Sequence, residues 1–110
     1  MDNPSELELI LLKGLTNKYP ALISHLPFLK VTSRKPTGTG LFVNFTYHNS
    51  ALKIDAELNA LYSNEERIKL SSLEKGLCFV IDITCGEITY IEFTTYDENW
   101  DGSLVGYEIG

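Results

Sequence analysis

The sequence predicts an α+β fold, an N-terminal helix or helical pair packed on an antiparallel β-sheet of about four to six strands. Three observations predict it: a capped segment of helical periodicity at the start, later segments in which apolar and polar residues alternate, and short turn-rich intervals between them. With 110 residues the chain can build one hydrophobic core but not two, so residues 1–110 are expected to form a single α+β domain.

The first helix begins after Asn3-Pro4-Ser5. Ser5 is placed to cap it, and Glu8, three residues on, is placed to reach back to the cap amide. Leu7, Ile10, Leu11 and Leu15 recur at helical spacing as an apolar stripe. Gly14 weakens the helix, and close approach of a neighbouring element would explain its presence. Residues 20–26 form a second short helix with Pro20 in its first turn, stopped by Pro27, with Ala21, Leu22, Ile23 and Leu26 on the core. His25 has a structural reading at the end of that helix.

Residues 29–35 alternate with period two and predict a strand. A turn cluster follows at Pro36-Thr37-Gly38-Thr39-Gly40. The next strand places Leu41, Val43, Phe45 and Tyr47 on one face and Phe42, Asn44, Thr46 and His48 on the other. Residues 50–63 fit either a helix through Ala51, Ile54, Leu58 and Leu61 or a strand through Leu52, Ile54, Ala56 and Leu58. The strand is preferred because it gives Lys53, Asp55, Glu57 and Asn59 to solvent. Ser63 to Glu66 reads as a turn or a single helical turn, and residues 68–71 alternate weakly. Residues 77–83 and 88–96, joined by the turn Thr84-Cys85-Gly86-Glu87, are the best hairpin candidate. Leu104-Val105-Gly106-Tyr107 adds an edge strand.

Cys78 reads as a core thiol and Cys85 as an incidental turn residue; their placement forms neither a disulfide framework nor a thiolate metal site. Asp2 and Glu6 stand where a secretory signal needs positive charge, and no apolar run reaches the length of a membrane span, so a cytoplasmic protein with no membrane association is expected. Charge is uneven. Residues 76–110 carry Asp82, Glu87, Glu92, Asp97, Glu98, Asp101 and Glu108 and no lysine or arginine. Such a surface repels phosphate backbones and favours a basic protein partner over nucleic acid.

No motif assigns an activity. Gly38-Thr39-Gly40 lacks the lysine and the following helix of a phosphate loop and the third glycine of a dinucleotide fingerprint, so no cofactor is expected. Asp97, Asn99, Asp101, Gly102 and Glu108 match the spacing of a calcium loop, with Ser103 and Val105 at its seventh and ninth positions. The flanks argue against that reading, because a strand pattern precedes the loop and only two residues follow Glu108. No pattern forces Cys78 and His48, or a serine with His25 and a carboxylate, into a catalytic constellation.

Val31-Thr32-Ser33-Arg34, Thr37-Gly38-Thr39-Gly40, residues 76–81, Gly86 and Thr95-Tyr96 together carry a likeness. The chain resembles a group of small uncharacterised bacterial proteins of unassigned function. They share a helical start, a serine–arginine strand, a threonine–glycine turn, and a late strand pair ending in a threonine–tyrosine–glycine loop and a tryptophan. Asp97 stands where that group has glycine, and the resemblance implies an α+β fold and no activity. The residues favour an interaction protein of inhibitor or immunity type. Its expected surface is acidic and aromatic, formed by Tyr90, Glu92, Tyr96, Asp97, Glu98, Trp100 and Asp101. The alternative is a small-ligand or calcium-binding module.

Overall fold

The computed structural model describes residues 2–48, 52, 54–64 and 68–109. The chain runs through helix α1 (Glu6–Lys18), a 3-10 helix (Pro20–Phe28), and strands β1 (Leu29–Pro36), β2 (Gly40–Tyr47), β3 (Ala60–Tyr62), β4 (Ile68–Lys69), β5 (Leu77–Thr84), β6 (Glu87–Thr95) and β7 (Glu108–Ile109). These are the α+β elements the sequence predicts, with seven strands among the described residues where about four to six were expected. Every pairing is antiparallel, in the order β1-β2-β6-β5-β4-β7, and β3 pairs with the far half of β5.

The capping box forms as the sequence requires: the Ser5 amide donates to Glu8 Oε1 at 2.7 Å and the Glu8 amide to Ser5 Oγ at 3.3 Å. The buried stripe of α1 is rotated from the expected one, with Leu7, Leu11, Leu12 and Leu15 inside and Ile10 partly exposed. Gly14 lies against Tyr62, whose hydroxyl would sit 3.2 Å from an added Cβ, a close approach of the kind its position in the helix suggested. The second helical segment is a 3-10 helix that continues through Pro27 to Phe28. Three residues per turn align Leu22 with His25, which are buried, and leave Ala21 and Ile23 outside the core.

In the sheet, Leu29, Val31, Leu41, Val43, Leu77, Phe79, Ile81, Ile83, Ile88, Ile91 and Phe93 face the helices and form one buried cluster with α1. Thr32 is the extra residue where the β1–β2 register shifts, and Thr89 is the extra residue in β6 opposite Asp82 and Ile83. The β5–β6 turn has left-handed backbone at Cys85 and Gly86. A Cβ on Gly86 would lie 2.3 Å from the Asp55 carbonyl, so the turn and the adjacent loop together exclude a side chain there.

Between β2 and β4 the expected strand is displaced. Residues 54–59 are turn and irregular chain, and pairing begins at Ala60. The readings at Ala51, Lys53, Glu65 and Glu66 lie outside the described residues. Residues 104–107 form no strand; the C-terminal pairing is made by Glu108 and Ile109 with β4. Among the described residues no helix is long and apolar enough to cross a membrane.

Candidate functional site

The helices cover one face of the sheet only. On the other face the register sets side by side Lys35, Phe42, Glu92 and Val80 in one row across β1-β2-β6-β5, and Ser33, Asn44, Tyr90 and Asp82 in the next. Leu61 of β3 extends the second row beyond Asp82 and is strongly exposed. Phe42, Val80, Tyr90, Asp82 and Glu92 are all half-buried, as neighbours on a strand surface with no layer above them among the described residues should be.

At the centre of this face Phe42 and Tyr90 meet edge to face, ring centroids 5.6 Å apart. Carboxylates flank the pair: Glu92 lies opposite Phe42 and Asp82 opposite Tyr90. Asp82 is held in place by hydroxyls, accepting from Thr84 Oγ1 at 2.6 Å and from Thr89 Oγ1. Among the described residues neither Asp82 nor Glu92 has an ion-pair partner. Desolvation, then the Asp82 and Glu92 charges, hold the Tyr90 phenol above its ordinary range, so both acids act electrostatically at the ring. Aromatic faces beside unpaired carboxylates suit a guanidinium or ammonium group.

The seven residues expected to form one surface are divided by the fold. Tyr90 and Glu92 belong to the open face, and Tyr96 and Asp97 are exposed just beyond β6. Trp100 is a correction. It is only 5% exposed, because the loop after β6 folds back on the β1–β2 turn: the Trp100 amide donates to the Gly38 carbonyl at 2.9 Å and its indole Nε1 to the Ser103 carbonyl at 3.0 Å. Thr95 completes this clasp, its amide bonding the Thr39 carbonyl at 2.9 Å and its hydroxyl lying 2.7 Å from the Glu98 carbonyl. Gly38-Thr39-Gly40 is thus a turn that supplies carbonyls to the clasp.

Glu98 is a brace: its carboxylate accepts the amides of Glu74 at 2.8 Å and Lys75 at 3.0 Å. Those two amides lower its pKa. The folded state therefore favours the carboxylate, and this contribution is present above the ordinary glutamate range and lost as pH falls through the lowered value. Glu98→Gln is expected to unfold at lower urea than the parent at pH 7, with the gap closing as both are titrated to pH 3.

Calcium-type ligands are not gathered either. The Asp101 carboxylate is turned onto the Ser103 amide at 2.9 Å, and Glu108 lies in β7 opposite Lys69. Among the described residues no group of three His, Cys, Asp or Glu side chains could hold a metal ion. Here that stretch folds onto its own backbone through the Asp101–Ser103 contact.

No family model, curated protein or solved structure matches this chain.

Phe42, Asp82, Val80 and Leu61 belong to the open face and were missing from the expected surface. The signal for Phe42 and Asn44 was present in the alternation of β2, which put them opposite Leu41 and Val43. Cys78 is also corrected: it is half-buried on the open face, its thiol directed at the Thr94 carbonyl at 3.4 Å, and not a core residue. Cys85 is exposed in the turn. His25 is 1% exposed, and its Nδ1 lies 2.7 Å from the Tyr47 hydroxyl, in line with its structural reading.

Proposed function

We propose that the protein is a cytoplasmic interaction module of inhibitor or immunity type that takes up a basic protein partner on the open face of its sheet. The observation that supports this reading is the half-buried Phe42–Tyr90 pair set between two carboxylates that have no ion-pair partner among the described residues. A partner arginine stacked on Tyr90 can pair with Glu92 or Asp82 while its aliphatic stem covers Phe42 and Val80. The acids on β5 and β6 steer such a partner, and the rings supply the contact area that holds it.

The same face opposes two other occupants. A second copy would bring Asp82 and Glu92 against their own kind, and a phosphate chain would meet only acids on the two central strands, β5 and β6. The resemblance to small bacterial α+β proteins belongs to this proposal and adds no activity to it.

The test is capture of a stoichiometric basic protein from lysate by the tagged chain at low salt. Release is expected as ionic strength rises. Tyr90→Ala combined with Glu92→Gln should weaken binding by at least tenfold, about 1.4 kcal/mol. Finding no stoichiometric basic partner would refute the proposal, and so would a partner indifferent to both substitutions.

A further inference from the structure

The helical layer carries a second surface of opposite character. A groove of about 940 Å³ runs between α1 and the 3-10 helix, with Ile10, Ile23 and Leu26 on its apolar walls and Gly14 and Tyr62 along it. Two of the protein's exposed large hydrophobics, Ile10 and the 57% exposed Ile23, converge here. Ile10, Lys13, Gly14, Thr16, Asn17 and Lys18 line it from α1, beside the face that carries the buried leucines.

Its charge is positive. Lys13 and Lys18 line the groove, neither has an ion-pair partner among the described residues, and no described lining residue is a carboxylate. In a chain of net charge −6, Lys13 and Lys18, the latter with its Nζ 5.8 Å from the centre of the Tyr19 ring, form a local reversal of sign over an apolar floor among the described residues. The backbone groups of α1 and the 3-10 helix are engaged within those helices. An extended peptide laid in the groove would leave its own N–H and C=O groups without partners, whereas a helix brings its hydrogen bonds with it.

We propose that the α1/3-10 groove is a docking site for an acidic amphipathic helix of a partner protein. Apolar side chains at helical spacing fill the space between Ile10, Ile23 and Leu26. Carboxylates about one and a half turns apart meet Lys13 and Lys18, which by the 1.5 Å rise per residue are ~7.5 Å apart along the axis. This site lies on the layer opposite the open sheet face and stands without the function proposed for that face.

The experiment titrates the full ¹⁵N-labelled chain with a synthetic helical peptide of leucine, alanine and glutamate, leucines spaced at i, i+3, i+4 and i+7. The control peptide carries lysine at every glutamate. Saturable amide shifts are expected at residues 10–26 with the glutamate peptide below about 1 mM, and none with the lysine peptide. Lys13→Gln/Lys18→Gln should reduce affinity at least tenfold, and so should Ile23→Ser, all at exposed positions where the rest of the spectrum reports an unchanged fold. No shifts, shifts confined to another surface, or equal binding of both peptides would overturn the proposal. A concentration-dependent dimer dissociated by Ile23→Ser would also overturn it, because the groove would then hold a second copy.

Discussion

Arg34→Met is expected to remove about 3 kcal/mol of stability, because it leaves a fully buried carboxylate without its counter-charge. Glu8 has no exposed surface, and Arg34 grips it with two parallel bonds, Nε to Oε2 at 3.0 Å and Nη2 to Oε1 at 2.8 Å. The bond to Glu8 is the largest influence raising the Arg34 pKa, ahead of the opposing effect of burial. Asp2 lies 3.7 Å from the same guanidinium but is largely exposed, so it contributes little.

Because Arg34 itself keeps about a third of its side chain in solvent, the loss is placed at the low end of the range for buried pairs. Urea unfolding at pH 7 measures it, and a melting midpoint lowered by roughly 10–15 °C should accompany it. Adding Glu8→Leu to Arg34→Met should recover the larger part of the loss, since the stranded charge is then gone. A stable Arg34→Met protein would show that the ion pair is not what anchors α1 to β1.

Tyr47→Phe is expected to cost about 2 kcal/mol, the penalty of stranding buried hydrogen-bonding groups. The Ile88 amide donates to the Tyr47 hydroxyl at 3.0 Å, and His25 Nδ1 lies within hydrogen-bond distance of the same oxygen at 2.7 Å. One hydroxyl thus joins the 3-10 helix, β2 and the bulged segment of β6.

Desolvation pushes the Tyr47 pKa up to about 12. A raised folded value means that its share of stability is complete below the ordinary tyrosine range and is lost as pH rises through the folded one. The parent should therefore lose stability between about pH 10 and pH 12 more steeply than Tyr47→Phe, read as urea midpoints across that interval. Equal slopes would show that the hydroxyl is not protected in the folded state.

Both predictions concern residues whose partners are far away in the chain, and that distance separates the legible from the illegible parts of this fold. The capping box at Ser5 and Glu8, the hairpin around Cys85 and Gly86, and the alternation of β1, β2, β5 and β6 were readable because the forces that make them act between near neighbours. The 3-10 geometry of residues 20–28 was not. Its run of apolar residues fits either helical period, and only packing on the sheet selects the one that buries Leu22 and His25 together.

Residues 54–62 were misplaced for a similar reason. Leu58 packs on the core without belonging to a strand, and β3 exists because Ala60, Leu61 and Tyr62 find the open edge of β5.

The candidate site divides in the same way. Tyr90 and Glu92 were marked by the absence of any cation in the last third of the chain, and strand alternation puts them on the open face. Trp100 was misread because a large aromatic in a polar stretch gives no local sign that the loop returns to the β1–β2 turn. Phe42, Asp82 and Leu61 join Tyr90 only through register across four strands. By itself the sequence determined the class of fold, the hairpins and the sign of the C-terminal charge, which follow from local periodicity and composition. Tertiary structure alone decided which acids stand beside which rings and where the lysines of α1 meet exposed isoleucines, because those neighbours are set by strand order and helix placement, to which no short stretch of chain refers.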